Sequence, residues 1–361
     1  MEFYVETNYF DHDGLMNACG KGRDDYFEVL RRCGLKCIRI SMLKREAGVS
    51  FVERIRIERG LVRTWNRALK DLGEGDTLFI HTPPSEKFTG LTSVIRKVRK
   101  RGCQIGVIVF DLEEFITPYY RKAAALKYRI SRRQEAQLFR LADVMIVHNS
   151  EMKDYVSSMG IDPEIIVPVG VMDYLSDEPI DPDKTRKNTG KDLPVVFCGG
   201  LTPGKAGFLN NIPDELFLDV YGTGHQGRFP RNIDYRGAFD SMELMEIIRG
   251  SFGLVWDGCT ADTCDGASGE YLKYNNPHKM ALYLASGLPV IVWDESAMAE
   301  FVTKEKCGLT VADLGMIPDI LRSLSNEDYE LMRINACRIG SGMRKGVHIS
   351  TAVERALGLL K

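Results

Sequence analysis

Residues 269–292 carry the pattern that most constrains this chain. A polar loop, a helix start, a short helix, a glycine stop and a buried strand follow in immediate succession. Pro277 suits a first helical position, where a missing N–H leaves no bond unmade. Asn276 before it is a good helix cap. Gly287 ends the helix, Pro289 prevents its resumption, and Val290-Ile291-Val292 continues as a β-branched strand. The same alternation of apolar runs and helical patterns extends along the whole chain, the mark of an α/β fold with parallel sheets.

Strand candidates in the first half are 3–6, 36–40, 77–81, 104–110, 144–148 and 165–169. Helical patterns cover 22–32, 51–72, 86–101, 119–141 and 151–159. Residues 173–192 are rich in Asp, Pro, Lys and Thr and read as an exposed linker or surface loop between domains. A second series follows, with strands at 195–198, 217–221, 253–256, 290–293 and 308–311 and a closing helix at 349–360. This layout predicts two Rossmann-like domains, at 1–170 and 171–345, and a C-terminal helix at 346–361. Two open parallel sheets place a ligand cleft at the carboxyl ends of their strands.

A length of 361 residues fits two domains and a sizeable core without staples. The net charge of −2 names no partner. No apolar run is long enough to cross a bilayer, and the first residues read as a strand rather than a signal peptide. A cytoplasmic protein is expected. The nine cysteines are scattered. Cys37, Cys103 and Cys198 lie in or beside apolar runs and read as buried thiols. Cys259 and Cys264 flank an acidic loop, and the paired short spacings of a zinc site are absent. No metal or other cofactor is expected.

Several strand ends carry chemistry. His278 and Lys279 fall in the first turn of a helix, where free N–H groups and the helix dipole favour an anion. Gly199-Gly200, followed by Lys205, lets a ligand approach the backbone beside a cation, as a diphosphate requires. Tyr221-Gly222 ends another strand, where Tyr221 either stacks on a nucleobase or packs internally. Three such loops in one half suit a nucleotide diphosphate; a capped helix with no ligand is the plain alternative. In the first half, Asp111 ends a buried strand and faces the expected cleft. It is a general base for a hydroxyl nucleophile or a helix cap. His81 is a second base or, more simply, a structural histidine. The loop from Thr7 and Asn8 to Lys21 and Arg23 is longer than a strand-to-helix connection needs. It touches acceptor or donor phosphates, or is plainly mobile. Asp257, Asp262 and Asp265 form a metal site, a sugar-binding loop or a solvated acidic loop. The basic runs 96–101 and 121–133 form a solvated face, a contact for anionic lipid headgroups or, without any recognised motif, a nucleic-acid surface. No nucleic-acid partner is expected.

The run from Glu270 to Val292, with Tyr-Leu-Lys-Tyr-Asn-Asn-Pro-His-Lys and then Leu-Tyr-Leu-Ala-Ser-Gly-Leu-Pro-Val-Ile, resembles the signature of bacterial β-1,6-galactofuranosyltransferases. The upstream Gly253-Leu254-Val255-Trp256-Asp257-Gly258 resembles the same group. A wider relation is to the streptococcal adhesin glucosyltransferases, which glucosylate a GlcNAc-modified serine-rich protein. The resemblance is sharp from about Phe252 to Asp294 and otherwise one of layout. It implies the GT-B fold, a donor nucleotide held mainly by the C-terminal domain, and no required metal. It also implies that Lys279 contacts the donor pyrophosphate with Asn275 and Asn276 nearby. Lys205 matches a basic phosphate contact, Tyr221 and Gly222 line the nucleotide, and Thr7 to Lys21 form the acceptor-side loop. The length of the 259–266 loop favours the galactofuranosyl branch. The expected activity is inverting, metal-independent transfer from a UDP-sugar, foremost UDP-galactofuranose, to a saccharide hydroxyl of a glycan, glycolipid or glycoprotein. The alternatives are UDP-glucose transfer to a glycosylated protein and a non-catalytic GT-B partner protein. Relatives also suggest self-association, and the basic helices suggest contact with the inner face of the membrane.

Overall fold

The computed structural model describes residues 1–7, 18–40, 50–84, 88–116 and 122–361. Strands β1 (Glu2–Thr7), β2 (Lys36–Ile40), β3 (Thr77–Thr82), β4 (Gln104–Val109), β5 (Val144–Val147) and β6 (Ile166–Pro168) build a first sheet. They are all parallel, in the order β2-β1-β3-β4-β5-β6. Strands β7 (Val195–Gly200), β8 (Leu218–Thr223), β9 (Ile233–Gly237), β10 (Gly253–Val255), β11 (Val290–Trp293) and β12 (Gly308–Val311) build a second parallel sheet. Its order is β12-β11-β10-β7-β8-β9. Each sheet reverses its winding direction once, between β1 and β3 and between β7 and β10. A ligand cleft is expected at the carboxyl ends there.

Helices α1 (Ala18–Arg32), α2 (Phe51–Ala68), α3 (Leu91–Lys100), α4 (Glu113–Ile116), α5 (Lys122–Phe139) and α6 (Ser150–Ser158) accompany the first sheet. The second carries α7 (Pro182–Asn188), α8 (Pro203–Ala206), α9 (Ser241–Ile247), α10 (Gly266–Tyr271) and α11 (His278–Ala285). Then come α12 (Ala299–Glu305), α13 (Ile317–Ser323), α14 (Asn326–Lys345) and α15 (Val347–Leu359). Local chemistry sets several of these starts. Ser50 caps α2 through the Glu53 N–H, and Asn149 caps α6 through the Met152 N–H at 2.8 Å.

Right-handed crossovers put α2, α3 and α5 on one face of the first sheet, because all three step the same way across it. Leu61 and Trp65 of α2, Val94 and Ile95 of α3 and Leu138 and Phe139 of α5 accordingly share one core. The connection through α1 steps the other way. Tyr26 and Leu30 of α1 lie in a second core, which runs on without a break into the second sheet. Helix α15 returns from the second half and packs on α1, β5 and β6.

Four details differ from the sequence reading. Pro277 is itself the cap residue of α11, and Asn276 does not cap it; Asn276 bonds elsewhere, as described below. The stretch 173–192 is not wholly exposed: Asp173, Tyr174 and Leu175 are buried and α7 lies within it. Asp181 caps α7 by accepting from the Asp183 and Lys184 N–H groups, a signal masked by the polar composition. Strand β9 was not expected, because only Ile233 of its five residues is buried and no apolar run marks an edge strand. Cys37 is half-buried rather than buried, and its thiol donates to Glu6 at 3.1 Å.

Candidate active site

The second sheet's reversal point lies between the ends of β7 and β10, and Lys279, in the first turn of α11, reaches into it. Its ammonium donates to the Trp256 carbonyl at 3.0 Å and to Asp257 Oδ1 at 2.6 Å, both just beyond β10. It also stands 4.6 Å from the centroid of the Phe197 ring in β7. Burial pulls its pKa down, opposed by Asp257. A methyl group on Gly199 would come within 3.9 Å of this nitrogen, so the end of β7 lies directly beside the charge. Lys205 follows in α8, half-buried, with its chain beside Gly200 and its charge felt by Lys279. Gly222 has φ +141°, and a Cβ there would overlap the Gly199 carbonyl oxygen. Its lack of a side chain keeps β7 and β8 paired up to the site. Tyr221 is buried and packs on Phe239, which agrees with the internal-packing alternative.

Asn275 and Asn276 lie just before α11. Asn275 Oδ1 is buried with no partner among the described residues. Asn276 is buried and ties the two halves together. Its amide nitrogen donates to the carbonyls of His148 at 2.9 Å and Gly170 at 3.2 Å, and its Oδ1 accepts from Asn149 at 2.8 Å. The Asn276 N–H donates to His148 Nδ1 at 3.0 Å.

Across the cleft, Asp111 follows β4. Tyr271, from α10 of the other half, donates its hydroxyl to Asp111 Oδ1 at 3.2 Å and accepts from the Leu112 N–H at 3.1 Å. Burial pushes the Asp111 carboxyl up to about 6, against the pull of Tyr271, Arg23 and Lys205. The charge of Lys205 is felt by both Asp111 and Lys279, so the ends of β4 and β7 lie near one another across the two sheets. His81 is buried against Phe27 and Phe110, with Nδ1 3.1 Å from the Pro83 carbonyl. Burial holds it neutral, with its pKa pushed down to about 3. It is a structural histidine.

Thr7 ends β1 and is buried. Asn8 lies outside the described residues. Lys21 sits in α1 rather than in a loop, and its ammonium is engaged by Asp25 at 2.6 Å and the Leu175 carbonyl at 2.8 Å. It ties α1 to the crossing segment instead of facing the cleft with Lys205. In the acidic loop, Asp257 pairs with Lys279, and Asp265 Oδ1 accepts from the Cys259 N–H. Among the described residues no group of three His, Cys, Asp or Glu is placed to hold a metal ion. Among them, too, no helix is long and apolar enough to cross a membrane.

Reading the sequence missed Tyr271 and the Asp257 partner of Lys279. Tyr271 lay within the recognised run but carried no motif of its own; only the approach of α10 to α4 gives it a role.

The chain spans about 64% of the length of a curated relative that it matches, the β-1,6-galactofuranosyltransferase WbbI of Escherichia coli. The two are 32% identical over 221 residues, 61% of this chain. Glucosyltransferase 3 of Streptococcus parasanguinis is 24% identical over 280 residues, 76% of each chain. The fold of HepE from Anabaena, solved with UDP, superposes with a TM-score of 0.57 at 12% identity, covering 99% of this chain and 100% of that one. Two facing Rossmann-like sheets with that likeness are the GT-B fold. The N-terminal domain model of glucosyltransferase 3-like proteins matches residues 2–169, and the C-terminal domain model matches residues 195–356. With both halves matched in order, the chain belongs to the glucosyltransferase 3-like family of glycosyltransferases.

Proposed function

We propose that this protein transfers a sugar from a UDP-sugar, foremost UDP-galactofuranose, to a hydroxyl of a saccharide, with inversion and without a metal ion. The observation that carries this reading is the pairing of chemistries across one cleft. The second sheet offers a buried lysine, a second lysine and a glycine turn at its reversal point. The first offers a carboxyl group poised near neutrality.

As the sugar C1 leaves the diphosphate, negative charge grows on the phosphate oxygens. Lys279, Lys205 and the first-turn N–H groups of α11 stabilise it in the role a divalent cation fills elsewhere. Asp257 holds the Lys279 ammonium in place, so little reorganisation accompanies the reaction. Asn275 and Gly199-Gly200 line the approach of the donor. Asp111 accepts the proton of the attacking hydroxyl, and the acceptor oxygen forms its bond to C1 as the C1–O bond to UDP breaks. The galactofuranosyl donor is supported by the likeness to WbbI, the more similar of the two relatives. Glucosyl transfer is the second reading, favoured by a match to glucosyltransferase 3 that covers more of the chain.

The test is transfer from UDP-galactofuranose, UDP-galactopyranose and UDP-glucose to a panel of saccharides, with the product anomer read by NMR and EDTA present throughout. Inverted galactofuranosyl product supports the proposal. Turnover of UDP-glucose alone moves the assignment to the second reading, and dependence on added manganese overturns the lysine mechanism. Asp111→Asn should keep UDP affinity by calorimetry while turnover falls by about 10²–10⁴.

A further inference from the structure

The layer of α2, α3 and α5 is unusual on its outer side. On α2, the exposed positions 52, 56, 59, 63 and 67, with 70 just beyond its end, recur every three or four residues, a single stripe along the helix. All but the first, Val52, are Arg or Lys. On α3 the same spacing exposes Arg96, Lys97 and Lys100, and on α5 it exposes Arg129, Arg133 and Gln137, with Arg140 one residue beyond its end. No Asp or Glu occupies a stripe position, and of the stripe cations on α2, Arg56 pairs with the neighbouring Glu53 at 3.1 Å. Helix α3 touches both α2 and α5, so the three stripes run side by side over one sheet face. At interhelical spacings of roughly 10 Å they make a plate about 20 Å wide and, from the length of α2, about 27 Å long. The whole chain is slightly negative, so this plate is a local concentration of positive charge and not a general property.

Exposed aliphatic side chains accompany the charges. Val52 is 70% exposed, Ile130 42% and Ile55 38%. Val52 and Ile55 lie in the first turns of α2, and helix N-termini in this fold point towards the carboxyl ends of the strands, where the cleft opens. Exposed large aromatic side chains, which would stack on bases, are absent from these helices among the described residues. Phe217 and Tyr235 are exposed on the other sheet instead.

We propose that the outer face of α2, α3 and α5 docks on an anionic bilayer. Arginines and lysines lie against the phosphates, and Val52, Ile55 and Ile130 dip into the headgroup region. The cleft edge of the first sheet then faces the membrane surface, where a lipid-linked acceptor would be presented. Charge complementarity selects the partner: the plate is cationic and flat, and its apolar members are aliphatic.

The test is co-sedimentation of the full chain with phosphatidylglycerol-rich vesicles and with phosphatidylcholine vesicles, at low and high salt. Binding to the first alone, released by salt, is the expected result. Charge reversal at Arg59→Glu, Arg63→Glu, Arg96→Glu and Arg133→Glu together should lower the partition coefficient at least roughly a hundredfold. Reversal at four exposed cations elsewhere, Lys187→Glu, Arg249→Glu, Lys304→Glu and Lys345→Glu, should leave it within a few-fold. UDP affinity of both variants verifies the fold. If the plate variant does not fold, the same four positions changed to Gln should still show a graded loss. Equal losses from plate and control variants overturn the proposal, as does the absence of binding to phosphatidylglycerol vesicles. So does plate-dependent binding to duplex DNA without binding to vesicles. Transfer to soluble saccharides should be unaffected in the plate variant, which separates this surface from the chemistry of the cleft.

Discussion

At the scale of single residues, the site depends on two buried charges held by partners from different elements. Asp111 has a carboxyl pushed up to about 6 by burial. A base must be ionised, so transfer should rise with pH through about 6 and level off above it. Four groups set that value: Tyr271 from α10, Arg23 from α1 and Lys205 from α8 lower it, while Glu113 from α4 raises it. The Tyr271 hydroxyl donates to the charged form, so its removal disfavours that form. Tyr271→Phe keeps the ring stacked on Phe115, with centroids 4.9 Å apart. The acid limb of the rate profile should therefore move up by roughly one pH unit, with UDP affinity unchanged. A limb that stays put in this variant removes Tyr271 from the role. A wild-type profile with no limb near 6 removes Asp111 itself. Lys279 and Asp257 form the other pair, each with a side chain 8% exposed. Lys279→Met leaves a carboxylate buried without its cation, which should cost about 3–5 kcal/mol in urea unfolding and abolish UDP binding. Adding Asp257→Leu should restore much of the stability but none of the binding. A Lys279→Met protein as stable as wild type contradicts the pairing.

At the scale of elements, what the sequence revealed follows burial. Strands β3, β5 and β11 lie within a residue of where the apolar runs place them, because a strand covered on both faces has to be apolar along its length. The edge strand β9 lacks that signal, and so does α7, whose capping Asp181 is one acid among many. The glycine stop after α11 was legible from Gly287 and Pro289, with Gly287 at φ +75°. The donor-side lysines were legible too, because they sit within local strand-end motifs. The Asn276 clamp, the Tyr271 contact and the inward turn of Lys21 were not, because each depends on an element more than a hundred residues away. Helix packing holds a similar hidden constraint. Gly340 in α14 lies against the Leu284 carbonyl of α11, and a Cβ there would overlap that oxygen. Backbone cannot rotate aside as a side chain can. Gly340→Ala should therefore destabilise by about 2 kcal/mol in denaturant unfolding and, by shifting α11, weaken UDP binding. A variant at wild-type stability would show that the two helices separate freely.

At the scale of the whole molecule, the chain crosses between its halves twice, and Asp173 holds both crossings. It lies in the segment that leaves the first sheet, and its carboxylate accepts from the Ile349 N–H at 2.7 Å and the His348 N–H at 3.3 Å. Those are the first-turn donors of α15, the helix that returns to β5, β6 and α1. Burial, and to a smaller degree the charge of Asp25, raise the Asp173 pKa to about 7 in spite of these two bonds. In the unfolded chain the group titrates near 4. Between those values the folded protein holds a proton that the unfolded chain has lost, so this group's contribution to stability falls as pH rises from about 4 to about 7. Asp111 acts in the same direction up to about 6. Buried His81 and His148, held near 3, and His278, held near 4, act in the opposite direction up to about 6.5, so the Asp173 contribution is read as the difference between wild type and an Asp173 variant. Asp173→Asn removes one titration but still leaves an oxygen to accept from the helix start. It should remove the downward contribution between about 4 and about 7 and leave those of Asp111 and the buried histidines, which end by about 6.5. Urea midpoints measured at half-unit pH steps for wild type and variant give that difference, which should change steadily between about 4 and about 7. If the variant retains the wild-type slope above pH 6, Asp173 is not the group that couples the returning helix to pH.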